Sequence, residues 1–120
     1  MEYSYDDQNI FAKILRGEIP NQTVFESDHA LAFNDINPQA PVHVLVIPKG
    51  PYVSLDHLAR DATPAEQAGF MQAVAEVCRL PDTDGGFRAI CNTRTHGVQD
   101  VPHYHMHIIG GRQLGRMLQS

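Results

Sequence analysis

Three histidines alternate along one short stretch of the chain, His103, His105 and His107, directly before the apolar residues Ile108 and Ile109. Side chains two residues apart lie on the same face of a β-strand, so this spacing predicts three imidazoles in one row. A buried row of polar rings costs free energy unless each ring has a hydrogen-bond partner. The stretch is therefore the first candidate for a functional site.

Three interpretations of the row are open from its spacing alone. Neutral imidazoles are common zinc ligands, and alternate positions of a strand can converge on one ion. An imidazole can instead attack phosphorus, because a neutral ring nitrogen is a good nucleophile near pH 7 and its covalent adduct stays labile to water. The third interpretation is a row of surface or core histidines without chemistry.

Composition narrows the class of protein. A chain of 120 residues suits one domain with a single hydrophobic core. The 9 basic and 14 acidic residues give a net charge of −5, which argues against binding along the phosphate backbone of DNA or RNA. Cys78 and Cys91 form no CxxC pair, which fits a reduced cytosol. With neither a leader-like start nor a long apolar run, we expect a cytoplasmic protein without a membrane partner.

Two main helices are predicted. The first is short, with Asp6 or Asp7 as its cap, Gly17 as its stop and an apolar face made of Ile10, Phe11, Ile14 and Leu15. The second begins at Thr63 as N-cap, and Glu66 three residues later completes a capping box. This longer helix is expected to end near residue 80 and to bury Phe70, Val74 and Val77.

Stretches rich in β-branched and aromatic residues predict five strands. Residues 23–26 and 30–33 form a hairpin, and residues 42–47 form a buried strand with one polar anomaly, His43. The last two strands are residues 87–91 and the histidine stretch. The order of these elements predicts an α+β fold with a mainly antiparallel five-stranded sheet and two main helices.

The histidine stretch and the Gly-Gly-Arg-Gln that follows it resemble the His-x-His-x-His motif of the histidine triad (HIT) superfamily, in its Hint-like branch of purine nucleoside phosphoramidases. Residues 10–20, 32–41 and 43–49 resemble the same branch in the same order. The likeness implies a single HIT-like domain over residues 1–120 with its core at about 8–115. It also implies a homodimer, a purine nucleotide as substrate, and neither a metal nor a cofactor.

The resemblance assigns catalytic roles to particular histidines. His105 is expected to attack the α-phosphorus of an adenosine 5′-phosphoramidate and form a nucleotidyl-histidine, from which water releases AMP. The carbonyl of His103 would hold the Nδ1–H of His105 and so select the attacking nitrogen. His107 and His43 match the positions around the phosphate. Asp100 stands where the family often has a serine that donates to the leaving group.

The resemblance also assigns nucleotide contacts. Asp35 matches the carboxylate that accepts both ribose hydroxyls. The apolar residues expected at the base are Phe11, Ile14 and Ile19, and Ile36 is expected among the other nucleotide contacts. Donors expected at the phosphate are Asn92 and backbone N–H groups of Gly97, Val98, Gln99 and Asp100.

Each of these residues has a simpler interpretation. The apolar residues at the base could be ordinary core, Asp35 could be a turn residue, His43 a satisfied buried histidine, and Asn92 a turn cap. Two departures from the family pattern bear on turnover. An ionised Asp100 would repel a phosphate, and Val98 replaces a frequent glycine. The alternatives are therefore a nucleotide-binding or scaffold protein with little turnover, and a metalloprotein that uses His103, His105 and His107.

Overall fold

The computed structural model describes residues 2–118, which form one five-stranded sheet and three α-helices. In chain order the elements are α1 (Ile10–Leu15), β1 (Thr23–Glu26), β2 (Ala30–Asn34), β3 (Val42–Pro48), α2 (Leu55–Asp61), α3 (Pro64–Val77), β4 (Phe87–Ile90) and β5 (Met106–Gly110), with a short 3-10 helix at Pro81–Thr83. The strands lie in the order β1-β2-β3-β5-β4, and every neighbouring pair is antiparallel. The predicted α+β fold is confirmed. No helix within residues 2–118 has the length and hydropathy needed to cross a bilayer.

Helix α2 is the element that the sequence pattern did not predict. Its buried residue is Leu58, and its N-cap Ser54 makes no side-chain capping bond. A helix with one buried apolar residue has no apolar periodicity to detect. Asp56 in the first turn and Arg60 in the last turn interact favourably with the helix dipole. These two charges were the sequence signal that could have indicated a helix here.

Several predicted boundaries are corrected by the structure. The N-cap of α1 is Asn9, whose Oδ1 accepts from the Ala12 N–H at 2.9 Å, and not Asp6 or Asp7. Helix α3 has the predicted capping box but ends at Val77, three residues before residue 80. Strand β5 begins at Met106, so the predicted strand through all three histidines is wrong and its row of three rings is absent.

Strand β3 lies at the centre of the molecule and separates two apolar clusters. All seven of its residues are buried, as expected for a strand covered on both faces. Val44 and Val46 belong to the cluster beneath α3, whereas Leu45 and Ile47 belong to the cluster beneath α1. The alternation of side chains therefore places His43 on the α1 face.

Strand β5 continues this arrangement beside β3. His107 pairs with Leu45, and Ile108, which belongs to the α3 cluster, pairs with Val44. His107 and His43 are thereby brought to the same face of the sheet, the face that α1 covers. The candidate site lies there.

Candidate active site

A cleft of about 260 Å³ opens between α1 and the sheet. The side chains of its apolar end are Phe11, Ile14, Ile19, Phe33, Ile36 and Leu45. The groups of its polar end are Asp35, Asp100, His105 and His107. Eight residues to which the sequence assigned a nucleotide-binding role therefore line one cleft: Phe11, Ile14, Ile19, Asp35, Ile36, Asp100, His105 and His107.

His105 is held in one tautomer. Its Nδ1 lies 2.8 Å from the backbone carbonyl oxygen of His103, and a carbonyl can only accept a hydrogen bond. The ring proton of a neutral His105 is therefore on Nδ1, which leaves the lone pair on Nε2. The ring is 4% exposed and packs edge-on against Phe11, with 4.9 Å between centroids. The geometry presents a buried, oriented imidazole whose Nε2 lone pair is free to act as a nucleophile.

The ring of His103 points away from the cleft. Its Nε2 lies 2.8 Å from the carbonyl oxygen of Pro48, and its Nδ1 lies 2.6 Å from the hydroxyl of Tyr5. His103 is fully buried. The first histidine of the motif therefore reaches the site through its backbone carbonyl and not through its imidazole.

His43 and His107 form a directed pair. The backbone N–H of Gln39 donates to His43 Nδ1 at 3.1 Å, which places the proton of a neutral His43 on Nε2. That Nε2 lies 2.9 Å from His107 Nδ1 and 3.3 Å from Asp35 Oδ2. Donation to His107 Nδ1 leaves the His107 proton on its own Nε2. The rings of His107 and His105 lie edge to face, with 5.0 Å between their centroids.

Asp35 forms the turn that its local sequence suggests, and it also lines the cleft. Its Oδ1 accepts from the Asn37 N–H at 2.9 Å, which is the hydrogen bond of an Asx turn. Its Oδ2 is directed at His43 and lies at the polar end of the cleft. A carboxylate accepts about four hydrogen bonds, so the turn leaves capacity for a bound hydroxyl.

Burial lowers the pKa of every histidine in the cluster. Loss of hydration lowers the pKa of His43, and it lowers that of His105 against the opposing effects of the His103 carbonyl and two carboxylates. Burial, with the neighbouring imidazoles, lowers the pKa of His107 to about 4. Burial also lowers the pKa of His103 to about 4. The imidazoles are therefore neutral near pH 7, as a nitrogen nucleophile requires.

These lowered pKa values predict a loss of stability in mild acid. Above pH 6.5 the imidazoles are neutral in the folded and the unfolded chain, whereas below it the unfolded chain binds protons first. The free energy of unfolding should fall from pH 6.5 to about 4, by an amount on the order of 3 kcal/mol for His103 alone. Urea unfolding at a series of pH values measures this slope. A flat profile would contradict this prediction.

The loop before the histidine motif does not bring all predicted phosphate donors to the cleft. The N–H groups of Gly97, Val98 and Gln99 donate to carbonyls of the same loop, at 3.2, 3.2 and 3.0 Å. Val98 and Gln99 line a different groove, beside Tyr3, and Asn92 lines a groove on the β4 side of His107. The phosphate roles of these four residues stay predictions.

Val98 and Gly97 have backbone positions that favour or require glycine. Val98 has φ +56°, a left-handed conformation that costs an ordinary residue about 1–2 kcal/mol, which is why a glycine suits this position. A side chain at Gly97 would come within 2.6 Å of the Thr93 backbone, so this glycine is required by close packing.

The site includes partners that the sequence analysis missed. Tyr5, Pro48 and Gln39 fix the two buried imidazoles of His103 and His43. Two of these contacts use backbone groups, which have no sequence signature. Tyr5 lies before the stretches that carry the family resemblance, so no motif pointed to it.

The predicted metal ligand set is also changed by the structure. Among residues 2–118, the group whose ligand atoms all lie within 4.8 Å of one another is Asp35, His43 and His107. The set of His103, His105 and His107 is not brought together, because the His103 ring is turned toward Pro48.

Comparison with known proteins places these features in a family. Residues 16–114 match the HIT domain. An uncharacterized 13.2 kDa HIT-like protein of Azospirillum brasilense is 52% identical over 119 residues, 98% of each chain. The purine nucleoside phosphoramidase of Escherichia coli K12 is 39% identical over 116 residues, 93% of this chain and 94% of that one. The crystal structure of a HIT family hydrolase from Legionella pneumophila matches with a TM-score of 0.79 and 36% identity, over 88% of this chain and 95% of that one. The chain therefore belongs to the HIT family of nucleotide hydrolases and transferases.

Proposed function

We propose that this protein is a purine nucleoside phosphoramidase that releases AMP through a nucleotidyl-histidine at His105. One observation carries the proposal: the His103 carbonyl holds His105 Nδ1–H at 2.8 Å, which leaves the Nε2 lone pair for attack on phosphorus. The similarity to a purine nucleoside phosphoramidase along 93% of the chain supports the substrate class.

The proposed reaction has two displacements at the α-phosphorus. In the first, the lone pair of His105 Nε2 forms a bond to phosphorus as the P–N bond breaks, and the leaving amine takes up a proton from solvent. The adduct is a cationic imidazole whose Nδ1–H stays on the His103 carbonyl. In the second, water attacks phosphorus, the P–Nε2 bond breaks and a proton is released. AMP leaves, and neutral His105 is restored.

The surrounding groups suit the charges of this reaction. His107 Nε2–H is a donor for a phosphoryl oxygen, and its tautomer is fixed through His43. A preorganised donor stabilises charge that develops in the transition state. Asp35 would accept from the ribose hydroxyls, and Phe11 and Ile14 would contact the base.

Asp100 favours a particular kind of leaving group. It is exposed and lines the histidine end of the cleft, where its charge opposes the effect of burial on the pKa of His105. A carboxylate there repels the phosphate but attracts the ammonium that forms as the P–N bond breaks. We propose that amines, which leave as cations, are the preferred leaving groups.

The covalent intermediate is the direct test. Protein that is turning over adenosine 5′-phosphoramidate and is then quenched rapidly in alkaline denaturant should carry one added nucleotidyl group on the peptide that contains His105. The His105→Ala variant should carry none, and His96→Ala, which removes an exposed histidine outside the cleft, should carry it as the parent does. AMP binding without adduct or turnover would instead support a nucleotide-binding or scaffold protein.

A metal site is the second candidate, and one cluster favours it. Asp35, His43 and His107 offer a carboxylate and two imidazoles, the ligand types of zinc. In the present hydrogen-bond network the proton on His43 Nε2 occupies the nitrogen that faces the other two groups. Under the phosphoramidase proposal, treatment with a chelator leaves turnover unchanged. Loss of turnover on chelation, restored by zinc, would favour the metal site.

Homodimer formation, implied by the family resemblance, is part of the proposal. Strand β4 is at the end of the sheet, and within residues 2–118 no strand pairs with its outer edge. Phe87 on this strand is 45% exposed. An open edge with an exposed aromatic residue can pair with a second copy. A cytoplasmic location and the absence of nucleic-acid and membrane partners also stay predictions from the sequence.

A further inference from the structure

The segment before α1 contacts both helix α2 and His103, through Tyr3 and Tyr5. The ring of Tyr3 stacks on His57 with 4.1 Å between centroids, and its hydroxyl donates to Asp56 Oδ2 at 2.6 Å. Two residues further on, the hydroxyl of Tyr5 lies 2.6 Å from His103 Nδ1. This segment therefore joins helix α2 to the first histidine of the motif.

The direction of the Tyr5 bond follows from the other side of the ring. His103 Nε2 lies 2.8 Å from the carbonyl oxygen of Pro48, so Nε2 carries the proton and donates. In the neutral ring, Nδ1 then holds the lone pair, and Tyr5 must be the donor. Burial raises the pKa of the Tyr5 hydroxyl, which keeps it protonated. His103 is thus held at both nitrogens in one tautomer.

We propose that Tyr5 is a positioning residue: by fixing the His103 ring, it fixes the carbonyl that orients the nucleophile His105. The inference rests on the proposed phosphoramidase function. Four hydrogen bonds restrain residues 103 to 105. The first is the bond from the Tyr5 hydroxyl to His103 Nδ1, and the second runs from His103 Nε2–H to the Pro48 carbonyl. The backbone N–H of Tyr104 donates to Tyr52 O at 2.7 Å, and His105 Nδ1–H donates to His103 O at 2.8 Å.

Loss of the Tyr5 hydroxyl would release the first of these restraints. His103 is 0% exposed, so an Nδ1 without a donor becomes a buried acceptor without a partner. The ring can relieve this by moving its proton to Nδ1, which loses the bond to Pro48, or by turning within its pocket. Either change shifts the residue whose carbonyl holds His105.

The test compares Tyr5→Phe with Tyr3→Phe. Both variants lose one phenolic hydroxyl from the same segment and keep the ring, but the Tyr3 hydroxyl bonds to Asp56 and not to the histidine motif. Tyr5→Phe should slow adduct formation in a single turnover by about tenfold with KM unchanged. Tyr3→Phe should leave both quantities at the parent values. Equal rates for the two variants would overturn the proposal.

A second measurement does not depend on turnover. In ¹⁵N-histidine spectra, the parent and Tyr3→Phe should show His103 protonated at Nε2 and His105 protonated at Nδ1. Tyr5→Phe should change the His103 signals and remove the single tautomer of His105. Unchanged spectra in Tyr5→Phe would refute the positioning role. A parent that shows these tautomers but hydrolyses no phosphoramidate would refute the proposed function instead.

Discussion

Replacing His105 with alanine is expected to lower kcat for adenosine 5′-phosphoramidate by about 10,000-fold, because the variant loses the nucleophile itself. In the parent, the His103 carbonyl and the lowered pKa keep Nε2 of His105 unprotonated near neutral pH. Alanine offers no lone pair, so only direct attack by water in the same cleft remains. Steady-state rates of AMP release from parent and variant measure the difference.

The variant His107→Ala shows whether the effect of His105→Ala comes from loss of the nucleophile or from loss of any imidazole in the cleft. His107→Ala removes another imidazole of the same cleft but leaves Nε2 of His105, so it should still form the adduct, about 100-fold more slowly. Because His105→Ala also loses the contact with Phe11, thermal unfolding must show that it is folded. AMP binding to it should persist. Parent-like turnover by a folded His105→Ala protein would refute the mechanism.

Elements with strong local signals were predicted correctly. The capping box of Thr63 and Glu66 marked the start of α3, and the apolar strand 42–47 marked β3 to within one residue. These signals depend on contacts between residues a few positions apart, which the sequence displays. Helix α2 was missed because its burial depends on Leu58 and on contacts with distant segments, such as the stacking of Tyr3 on His57.

The chemistry of the histidines could be predicted only in part. The motif indicated His105 and the carbonyl of His103, since the two residues are adjacent in the pattern. The direction of the His103 ring could not be predicted, because its partners Tyr5 and Pro48 are 98 and 55 positions away. The pairing of His43 with His107 spans 64 positions and required the register of β3 and β5.

The fold explains why the imidazoles stay neutral. His43 and His107 lie on the α1 face of the central strands, and His105 packs against Phe11 in the same covered region. Removal from water disfavours the charged form of each ring, and each ring proton has a fixed acceptor or faces the cleft. Close packing therefore keeps the ring nitrogens unprotonated near pH 7, as the proposed reaction requires of His105.

Replacing Asp35 with asparagine is expected to lower kcat/KM for adenosine 5′-phosphoramidate by about 100-fold, since hydrogen bonds from two ribose hydroxyls to a carboxylate contribute about 3 kcal/mol together. The substitution is a matched one. The asparagine Oδ1 can still accept from the Asn37 N–H and preserve the turn, while the charge and one acceptor oxygen are lost. Steady-state kinetics with the ribose substrate measures the loss.

A substrate without the 2′- and 3′-hydroxyls shows whether the loss arises at the ribose. On this substrate the kcat/KM of the parent should fall almost to that of Asp35→Asn, because neither protein can bind ribose hydroxyls that are absent. Asp35 also faces His43 at 3.3 Å, and an effect through that contact would lower kcat/KM equally for both substrates. An equal loss on the two substrates would therefore assign Asp35 to the histidine pair and contradict its role as the ribose acceptor.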